Sequence, residues 1–397
     1  MSIVIVGAGQ AGFQAAVSLR SEGYDDSIIL IGEEPRLPYQ RPPLSKGFLA
    51  GKQVIESTIL RPESFYSSHR IDVVTDEQVT ALDRISGHVQ LSSGKRIPYD
   101  KAVLATGARV RKLPSQNHVL YLHDSNDAVA LKERLDRSNS IRIVGGGFIG
   151  LEVASAARSL GKAVTVVETQ SRLMQRCVAP VVSEFYRGLH ADNGVKVMLG
   201  ETEISSCSAD LSVAGIGVVP NVQLARDAGL AIANGIAVDQ FLQTSDPAIF
   251  AIGDCAEHPN VFANARVRLE SVQNAVDQAK CAAANVVGHR RPYRAVPWFW
   301  TEQFDAKLQM AGWSGDSDRT VMRGDLQAKK FSVFYFKEDS LIGVDSINRP
   351  ADHLAARKLL ATGARITSDH AADNGFDLKS LINTMPGALA AFASEQD

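Results

Sequence analysis

The pattern of apolar and polar residues repeats along the first half of the chain. An apolar run at Ile3–Val6 precedes a helical pattern at 11–22, and an apolar run at Ile141–Val144 precedes a helical pattern at 151–160. A further apolar run follows each helical pattern. Strands that alternate with helices in this way predict parallel β-sheets with helical crossovers.

The last quarter of the chain has a different pattern. From about Lys307, short apolar runs separated by turn residues predict strands, and the pattern at 351–360 predicts a helix. The predicted strands are 308–310, 320–323, 331–336 and 341–347. The segment 365–397 is weakly patterned, and we expect its end to fray. An α+β region therefore follows the α/β part.

Both strand–helix repeats carry the same glycine pattern at the turn. The two turns read Gly7-Ala8-Gly9-Gln10-Ala11-Gly12 and Gly145-Gly146-Gly147-Phe148-Ile149-Gly150. In this pattern the glycine at the first position permits the tight turn, the glycine at the third position admits a pyrophosphate, and the glycine at the sixth position lets helix and strand pack closely. The helix N-terminus adds N–H donors and a partial positive charge. The sequence therefore predicts two sites for dinucleotides.

An acidic residue follows each glycine motif at the distance expected for a ribose contact. Glu33 and Glu168 stand about 20 residues after Gly12 and Gly150, after a second predicted strand in each case. The alternative is that both are ordinary exposed acids at strand ends. Two correct spacings in one chain favour the ribose contact.

These patterns predict an α/β fold with two Rossmann-like nucleotide-binding domains and a C-terminal α+β domain. The first nucleotide domain is split into residues 1–107 and 231–300, and the second is inserted between them at 108–230. The α+β domain is expected at 301–397.

Composition excludes several classes of protein. Of the 397 residues, 45% are apolar and 22% charged, which is typical of a soluble globular protein. The net charge of −2 gives no electrostatic reason to expect binding to nucleic acid or to an anionic membrane. No run of about 18 apolar residues predicts a membrane span, and a core strand at the N-terminus leaves no room for a signal peptide. We expect a cytoplasmic protein.

The cysteines predict no metal site. They are Cys177, Cys207, Cys255 and Cys281, and no two have Cys-x-x-Cys spacing. Zinc and iron–sulfur ligation are therefore not expected.

The chain resembles the FAD-dependent, NADH-using ferredoxin reductases of bacterial haem-thiolate monooxygenase and aromatic-ring dioxygenase systems. Besides the glycine motifs, the resemblance rests on Pro42–Lys46, Leu104–Gly107, Thr244–Pro247, Gly253–Ala256, Glu270–Ala275, Pro297–Trp300 and Val344–Pro350. It spans nearly the whole chain. It implies a glutathione-reductase-like arrangement, in which the first nucleotide domain holds FAD and the second holds NADH.

The resemblance also implies which residues hold FAD. It assigns Glu33 to the adenosine ribose, Asp254 to the ribityl hydroxyls and Lys46 to the flavin ring, where a cation raises the flavin potential. Val272 is expected to begin a helix whose positive end faces the flavin. The other expected contacts are Gly7, Gly9, Ala11, Gly12, Val79, Thr106, Gly107, His123 and Trp300. A solvated lysine at position 46 and plain core packing of the tryptophan are the alternatives.

For NADH, the resemblance implies a second set of residues. Glu168 is expected on the adenosine ribose, where its charge disfavours the 2′-phosphate of NADPH, although Arg172 nearby in sequence weakens that preference. Glu152 is expected beside the nicotinamide. The remaining contacts are Gly145, Gly147, Ile149 and Gly150. Lys46 and Glu152 are the predicted catalytic residues, because they are expected beside the flavin ring and the nicotinamide. Neither has to act as an acid or base, since hydride transfer needs none.

Two departures from the relatives are visible. His123 stands where relatives carry an arginine near the flavin adenosine, so that contact is lost, weakened or pH-sensitive, unless His123 is a plain surface residue. The segment 201–209 is shorter than the β-meander expected there.

The predicted function is to pass electrons from NADH through FAD to a [2Fe–2S] ferredoxin, which feeds a terminal oxygenase. We expect a monomer or weak dimer. One alternative is a rubredoxin reductase or another NADH-dependent FAD oxidoreductase without a redox cysteine. A redox-responsive binding protein without enzymatic activity is a third hypothesis, and the absence of a basic tract argues against a nucleic-acid role for it.

Overall fold

The structure, a computed structural model, describes residues 1–114, 118–202 and 208–383. Within this part of the chain the residues form two compact units. Unit 1 comprises Met1–Gln40, Glu56–Arg109 and Val218–Ala295, and unit 2 comprises Arg41–Ile55, Val110–Gly217 and Val296–Asp397. The three-domain division expected from the sequence stays a prediction.

Strands and helices alternate as the sequence predicted, which confirms the α/β fold class. The strands are β1 Ser2–Val6, β2 Ser27–Ile31, β3 Ile71–Val74, β4 Val79–Asp83, β5 His88–Leu91, β6 Arg96–Pro98, β7 Lys101–Leu104, β8 Ala108–Val110, β9 Ser140–Val144, β10 Ala163–Glu168, β11 Val195–Leu199, β12 Leu211–Ala214, β13 Val218–Pro220, β14 Ile236–Ala237, β15 Ile249–Ala251, β16 Ala256–Asn260, β17 Ala265–Val267, β18 Trp298–Gln303, β19 Ala306–Gly312, β20 Arg319–Asp325, β21 Lys330–Lys337 and β22 Ser340–Ile347. The helices are α1 Gln10–Ser21, α2 Glu63–Ser68, α3 Ser125–Asp136, α4 Phe148–Ser159, α5 Pro180–Asp192, α6 Gln223–Asp227, α7 Val272–Val286, α8 Pro350–Thr362, α9 Ser368–Ala372 and α10 Ser380–Asn383.

Unit 1 is built on a parallel sheet with the strand order β15-β7-β1-β2-β3. Its strands are apolar on both faces, because both are covered, and Val4, Ile5 and Leu30 are fully buried. Helices α1 and α7 pack against each other through buried alanines, including Ala15 and Ala279, since small side chains let helix axes approach closely. The first glycine turn lies at the carboxyl end of β1, where parallel sheets bind ligands.

Unit 2 contains two sheets. The parallel sheet has the order β11-β10-β9-β12, and α4 packs on it directly after the second glycine turn. The antiparallel sheet has the order β18-β19-β22-β21-β20, with α8 packed against β19 and β22. Phe331, Phe334 and Phe336, all on β21, are fully buried.

The antiparallel sheet begins earlier than the sequence suggested. Strand β18 runs through the expected boundary at 300/301 and pairs with β19 over its whole length. Strand β18 has three aromatic residues followed by three polar ones, so no alternation of apolar and polar residues marks it as a strand in the sequence. Helix α3 lies between the two glycine motifs, and the Asp124 side chain caps it by accepting a hydrogen bond from Asp127 N at 2.8 Å.

Some expectations lie outside the described residues. They concern most of the shortened segment at 201–209, Cys207 and the end of the C-terminal tail. Across the described ranges, no helix is long and apolar enough to cross a lipid bilayer. The same ranges hold no cluster of three or more His, Cys, Asp or Glu side chains suited to a metal ion.

Candidate functional site

The first glycine turn has the geometry of a pyrophosphate cradle. Gly7 has a φ of +108°, which favours glycine, and a Cβ there would overlap the Ala105 carbonyl. A Cβ on Gly12 would overlap the carbonyl oxygen of Gly7. In contrast, a Cβ on Gly9 would meet no atom within 4 Å, so open space lies in front of this residue. The turn is therefore tight at Gly7 and Gly12 and open at Gly9.

Helix α1 begins at this turn with its N-terminal donors available to an anion. Gly9 is the N-cap, no side chain caps it, and the first turn contains no acidic residue. The helix dipole and its N–H groups thus fit the negative charge of a dinucleotide pyrophosphate. Ala11, in the first turn, is buried. Unit 1 therefore has the donor set that the diphosphate of FAD requires.

The residues expected on the rest of FAD also have defined places in unit 1. Glu33 is exposed just beyond β2 and accepts a 3.4 Å hydrogen bond from Gln78 Nε2. Val79 is the buried first residue of β4. Thr106 Oγ1 donates to the Asn221 carbonyl at 2.7 Å, and Gly107 has a φ of +63°. As expected, Val272 begins α7, which Ser271 caps.

A buried amide supports the turn that carries Asp254. The backbone N–H of Gly253 donates to Gln278 Oε1 at 2.7 Å, and Gln278 Nε2 donates to His258 Nδ1 at 3.1 Å. Burial lowers the pKa of His258 to about 4, so the ring is neutral and accepts this bond. Sequence analysis missed both side chains, because nothing in the pattern of α7 marks one glutamine as buried.

The second glycine turn has the same backbone in unit 2. Gly145 has a φ of +106°, and a Cβ on Gly150 would overlap the Gly145 carbonyl oxygen. A Cβ on Gly147 would meet no atom within 4 Å, and Ile149 beside it is 45% exposed. Helix α4 begins here without a side-chain cap and without an acid in its first turn. This turn also fits a dinucleotide.

Glu168 is held directly under the second turn. Its Oε2 accepts a hydrogen bond from Gly146 N at 2.7 Å, and its Oε1 accepts one from Gln170 N at 2.8 Å. These bonds orient the carboxylate at the carboxyl end of β10, where the adenosine ribose of a dinucleotide is bound in this type of domain.

Arg172 is engaged elsewhere. Its guanidinium donates to the Val178 carbonyl at 2.7 Å, to the Gln175 carbonyl at 2.8 Å and to Ser183 Oγ at 2.8 Å. These bonds tie the loop after β10 to the start of α5. They give Arg172 a structural role, whereas sequence analysis considered it as a possible partner of a 2′-phosphate.

The two predicted catalytic residues form an ion pair within unit 2. Lys46 Nζ lies 2.8 Å from Glu152 Oε1, and Glu152 is only 3% exposed. Ser45 Oγ donates to Glu152 Oε2 at 2.5 Å, and Thr301 Oγ1 donates to Oε1 at 2.6 Å. Sequence analysis did not pick out Ser45 or Thr301, although each adjoins a predicted residue.

His123 and Trp300 also belong to unit 2. The backbone of His123 accepts a hydrogen bond from Arg41 Nη1 at 3.1 Å and donates one to Asp127 Oδ2 at 3.0 Å. The Trp300 ring lies 5.7 Å from that of Trp298 and 6.4 Å from that of Phe299. The residues expected to hold FAD thus divide between the units, with Lys46, His123 and Trp300 in unit 2 and the others in unit 1.

Two of the described cysteines are poor nucleophiles. Cys255 and Cys281 carry thiols and form no disulfide. Burial raises the pKa of Cys255, and it raises that of Cys281 to about 12. Because the thiolate is the reactive form, neither residue is suited to thiol–disulfide exchange.

Known proteins share both the sequence and the fold. The family model for pyridine nucleotide-disulphide oxidoreductases matches residues 1–279, and the model for the reductase C-terminal domain matches 298–382. Rhodocoxin reductase of Rhodococcus erythropolis is 47% identical, over 96% of this chain and 94% of its own length. These matches confirm the resemblance that the sequence motifs predicted.

Crystal structures extend the similarity. The ferredoxin reductase for the CYP199A2 system from Rhodopseudomonas palustris has a TM-score of 0.92 at 42% identity, covering 96% of this chain and 99% of that one. Putidaredoxin reductase in its covalent complex with putidaredoxin has a TM-score of 0.91 at 37% identity, covering 96% and 98%.

Proposed function

This chain belongs to the pyridine nucleotide-disulphide oxidoreductase family, and from that premise we propose that it passes electrons from NADH through FAD to a [2Fe–2S] ferredoxin that feeds a haem-thiolate monooxygenase or an aromatic-ring dioxygenase. Family members of this kind are oxidoreductases that use FAD and NAD(H). The observation that carries the proposal is the pair of glycine turns, one in each unit, each open at the third residue of the motif, Gly9 or Gly147.

Unit 1 supplies most of the FAD site. The N-terminus of α1 binds the pyrophosphate, Glu33 the adenosine ribose, and Asp254 the ribityl hydroxyls. Gln278 fixes the backbone of the turn before Asp254 through its 2.7 Å bond from Gly253 N. When bound, FAD would supply an acceptor for the hydride of NADH and a donor of single electrons.

We further propose that residues 1–107 and 231–300 form the FAD domain, 108–230 the NADH domain, and 301–397 the C-terminal domain.

Unit 2 supplies the NADH site and the charge near the flavin. Glu168, held under the second turn, binds the ribose hydroxyls and repels a 2′-phosphate, which favours NADH over NADPH. The Lys46–Glu152 pair holds an ammonium group in a fixed place, where it stabilises negative charge on the flavin ring. No side chain has to move a proton, so the protein acts by orienting both cofactors and excluding water.

An acidic ferredoxin is the partner that fits best. One similar protein is named as the ferredoxin reductase for the CYP199A2 system, and another, putidaredoxin reductase, is linked covalently to putidaredoxin in a crystal structure. Arg290, Arg291, Arg294, Lys329 and Lys330 supply basic charge. Two of them are partly neutralised, because Arg291 lies 3.4 Å from Glu22 and Lys329 lies 2.8 Å from Asp305. We propose that the protein acts in the cytoplasm, where NADH is available, as a monomer or weak dimer.

The test is reduction of cytochrome c by NADH with and without an added acidic [2Fe–2S] ferredoxin. We expect yellow protein that releases intact FAD on denaturation, and cytochrome c reduction that depends on the ferredoxin. Because local charges speed encounter, the ferredoxin-dependent rate should fall steeply with ionic strength, whereas direct reduction of ferricyanide should barely respond. Protein that cannot be loaded with FAD, or turnover that ignores the ferredoxin, would contradict the proposal. Rubredoxin in place of the ferredoxin tests the alternative acceptor.

A further inference from the structure

The carboxylate of Glu152 is bonded on both oxygens, and the two oxygens have different partners. Ser45 donates to Oε2 at 2.5 Å. Lys46 and Thr301 share Oε1, at 2.8 Å and 2.6 Å. Ser45 and Lys46 are neighbours in the chain, but Thr301 comes from β18. Thr301 is therefore the partner that ties this carboxylate to the antiparallel sheet.

Behind Thr301 a buried chain of hydrogen bonds continues. Gln303 Nε2 lies 3.3 Å from Thr301 Oγ1, and Gln303 Oε1 lies 2.9 Å from His190 Nε2. Thr301, Gln303 and His190 are all 0% exposed. The chain runs from Glu152 through strand β18 to helix α5, and every member lies in unit 2.

Chemistry fixes the direction of each bond. A carboxylate only accepts, so the Thr301 hydroxyl donates to Glu152 and its oxygen is left to accept from the Gln303 amide. The Gln303 carbonyl oxygen then accepts from His190, whose proton must lie on Nε2. All three donors point towards Glu152, an arrangement in which the bonds polarise one another.

The far end of the chain carries no charge. Burial lowers the pKa of His190, and its ring packs edge-on against Phe304 with centroids 5.0 Å apart. Nδ1 of His190 has no hydrogen-bond partner among the described residues. The chain therefore contributes oriented dipoles and a fixed position rather than a second cation.

We propose that Thr301, supported by Gln303, is a positioning residue that fixes the Glu152 oxygen on which the Lys46 ammonium group rests. This proposal rests on the proposed function. Without the hydroxyl, Glu152 keeps only Ser45 and Lys46, which are neighbours in one segment, and no bond ties the carboxylate to β18. The carboxylate can then turn about its terminal torsion, which is broad for glutamate, together with that segment. The ammonium group follows it and leaves the place from which it acts on the flavin.

The test compares Thr301→Val, which keeps the shape and removes the hydroxyl, with Thr301→Ser, which restores the hydroxyl. We expect Thr301→Val to lower kcat for NADH-dependent ferricyanide reduction by about tenfold with little change in KM, because one hydrogen bond to a charged group is lost. Lys46→Met, which removes the ammonium charge, should lower the flavin midpoint potential, and Thr301→Val should lower it in the same direction. Thr301→Ser should recover both properties.

Two controls separate positioning from folding. Thr320→Val changes an exposed threonine of the same sheet and should leave kcat and the potential as in the wild type. Thr301→Cys, which offers a weaker donor, should lie between Val and Ser, and it replaces Thr301→Val if that variant does not fold. A kcat and midpoint potential in Thr301→Val equal to those of the wild type would overturn the proposal. A wild-type protein whose flavin NADH does not reduce would overturn the proposed function, and this proposal with it.

Discussion

The two glycine turns share a backbone but differ in what surrounds them. In both, the first glycine has a positive φ, which is +108° at Gly7 and +106° at Gly145. The last glycine of each motif packs on the carbonyl of the first. The difference lies at the second position of each motif. Ala8 packs against Gly32, where a Cβ would come within 2.6 Å of the alanine Cβ. Gly146 instead donates its N–H to Glu168, and a Cβ on it would come within 2.6 Å of Leu173.

This difference separates the role of the turn backbone, which is to bind a pyrophosphate, from the role of the residues around it, which is to place the following acid. The shared backbone makes a pyrophosphate site, whichever nucleotide is bound. The neighbours decide where the following acid lies: Glu33 is exposed, and Glu168 is drawn under its turn by Gly146. We therefore expect the pyrophosphate contact to be equally demanding in the two turns, and nucleotide selectivity to depend on the second.

The largest effects should come from alanine at the last glycine of each motif. Gly12→Ala should give protein without bound FAD, because the new Cβ overlaps the Gly7 carbonyl oxygen and must displace the turn. Gly150→Ala should keep FAD but lose reduction by NADH, because the Gly145 carbonyl blocks its Cβ in the same way. Flavin content after gel filtration and anaerobic reduction by NADH give the two readings.

Gly188→Ala is the matched control. It lies in α5, where a Cβ would meet no atom within 4 Å, and should change neither reading. Loss of FAD from Gly150→Ala, with FAD retained in Gly12→Ala, would reverse the assignment of the two turns.

Two buried titratable groups, one in each unit, make the stability depend on pH with opposite signs. In unit 1, His258 has its pKa lowered to about 4 by burial, so it destabilises the fold as the pH falls from about 6.5 towards 4. In unit 2, Asp345 has its pKa raised to about 7 by burial, although a hydrogen bond from Tyr335 opposes the shift. Its destabilising effect therefore appears as the pH rises from about 4 through 7.

Asp345→Asn tests this sign. Asparagine cannot ionise, so the stability of the variant relative to the wild type should rise as the pH increases from about 4 to about 7, by up to about 4 kcal/mol for three pKa units. Urea unfolding followed at several pH values measures the difference. A constant difference across this range would contradict a raised pKa at Asp345.

Much of this architecture could be predicted from sequence, and the gaps have physical causes. The apolar runs located the core strands, because a strand that is buried on both faces is apolar at nearly every position. Lys46 and Glu152 were each predicted, but their contact was not, since they are far apart in the chain and only the fold joins them. Thr301 and Gln303 could not be predicted, because 301–303 is polar throughout and only the fold shows that Glu302 between them is exposed. Gln278 could not be predicted either, because a buried amide has the same sequence signature as an exposed one.

A smaller effect should separate the two ribose acids. Glu168→Ala removes a carboxylate–ribose contact worth about 1–3 kcal/mol and the repulsion of a 2′-phosphate. The ratio of kcat/KM for NADH to that for NADPH should therefore fall. Glu33→Ala, the matched change at the first turn, should leave this ratio as it is and weaken retention of FAD. An unchanged ratio in Glu168→Ala would place the discrimination elsewhere.

The most direct test of the account is a crystal structure of the FAD-loaded protein soaked with NAD⁺. The account predicts the FAD pyrophosphate on the turn Gly7–Gly12, with Glu33 on its ribose, and the NAD⁺ pyrophosphate on the turn Gly145–Gly150, with Glu168 on its ribose. Density for FAD at the second turn, or for NAD⁺ at the first, would contradict the assignment of FAD to the first turn and of the nicotinamide nucleotide to the second.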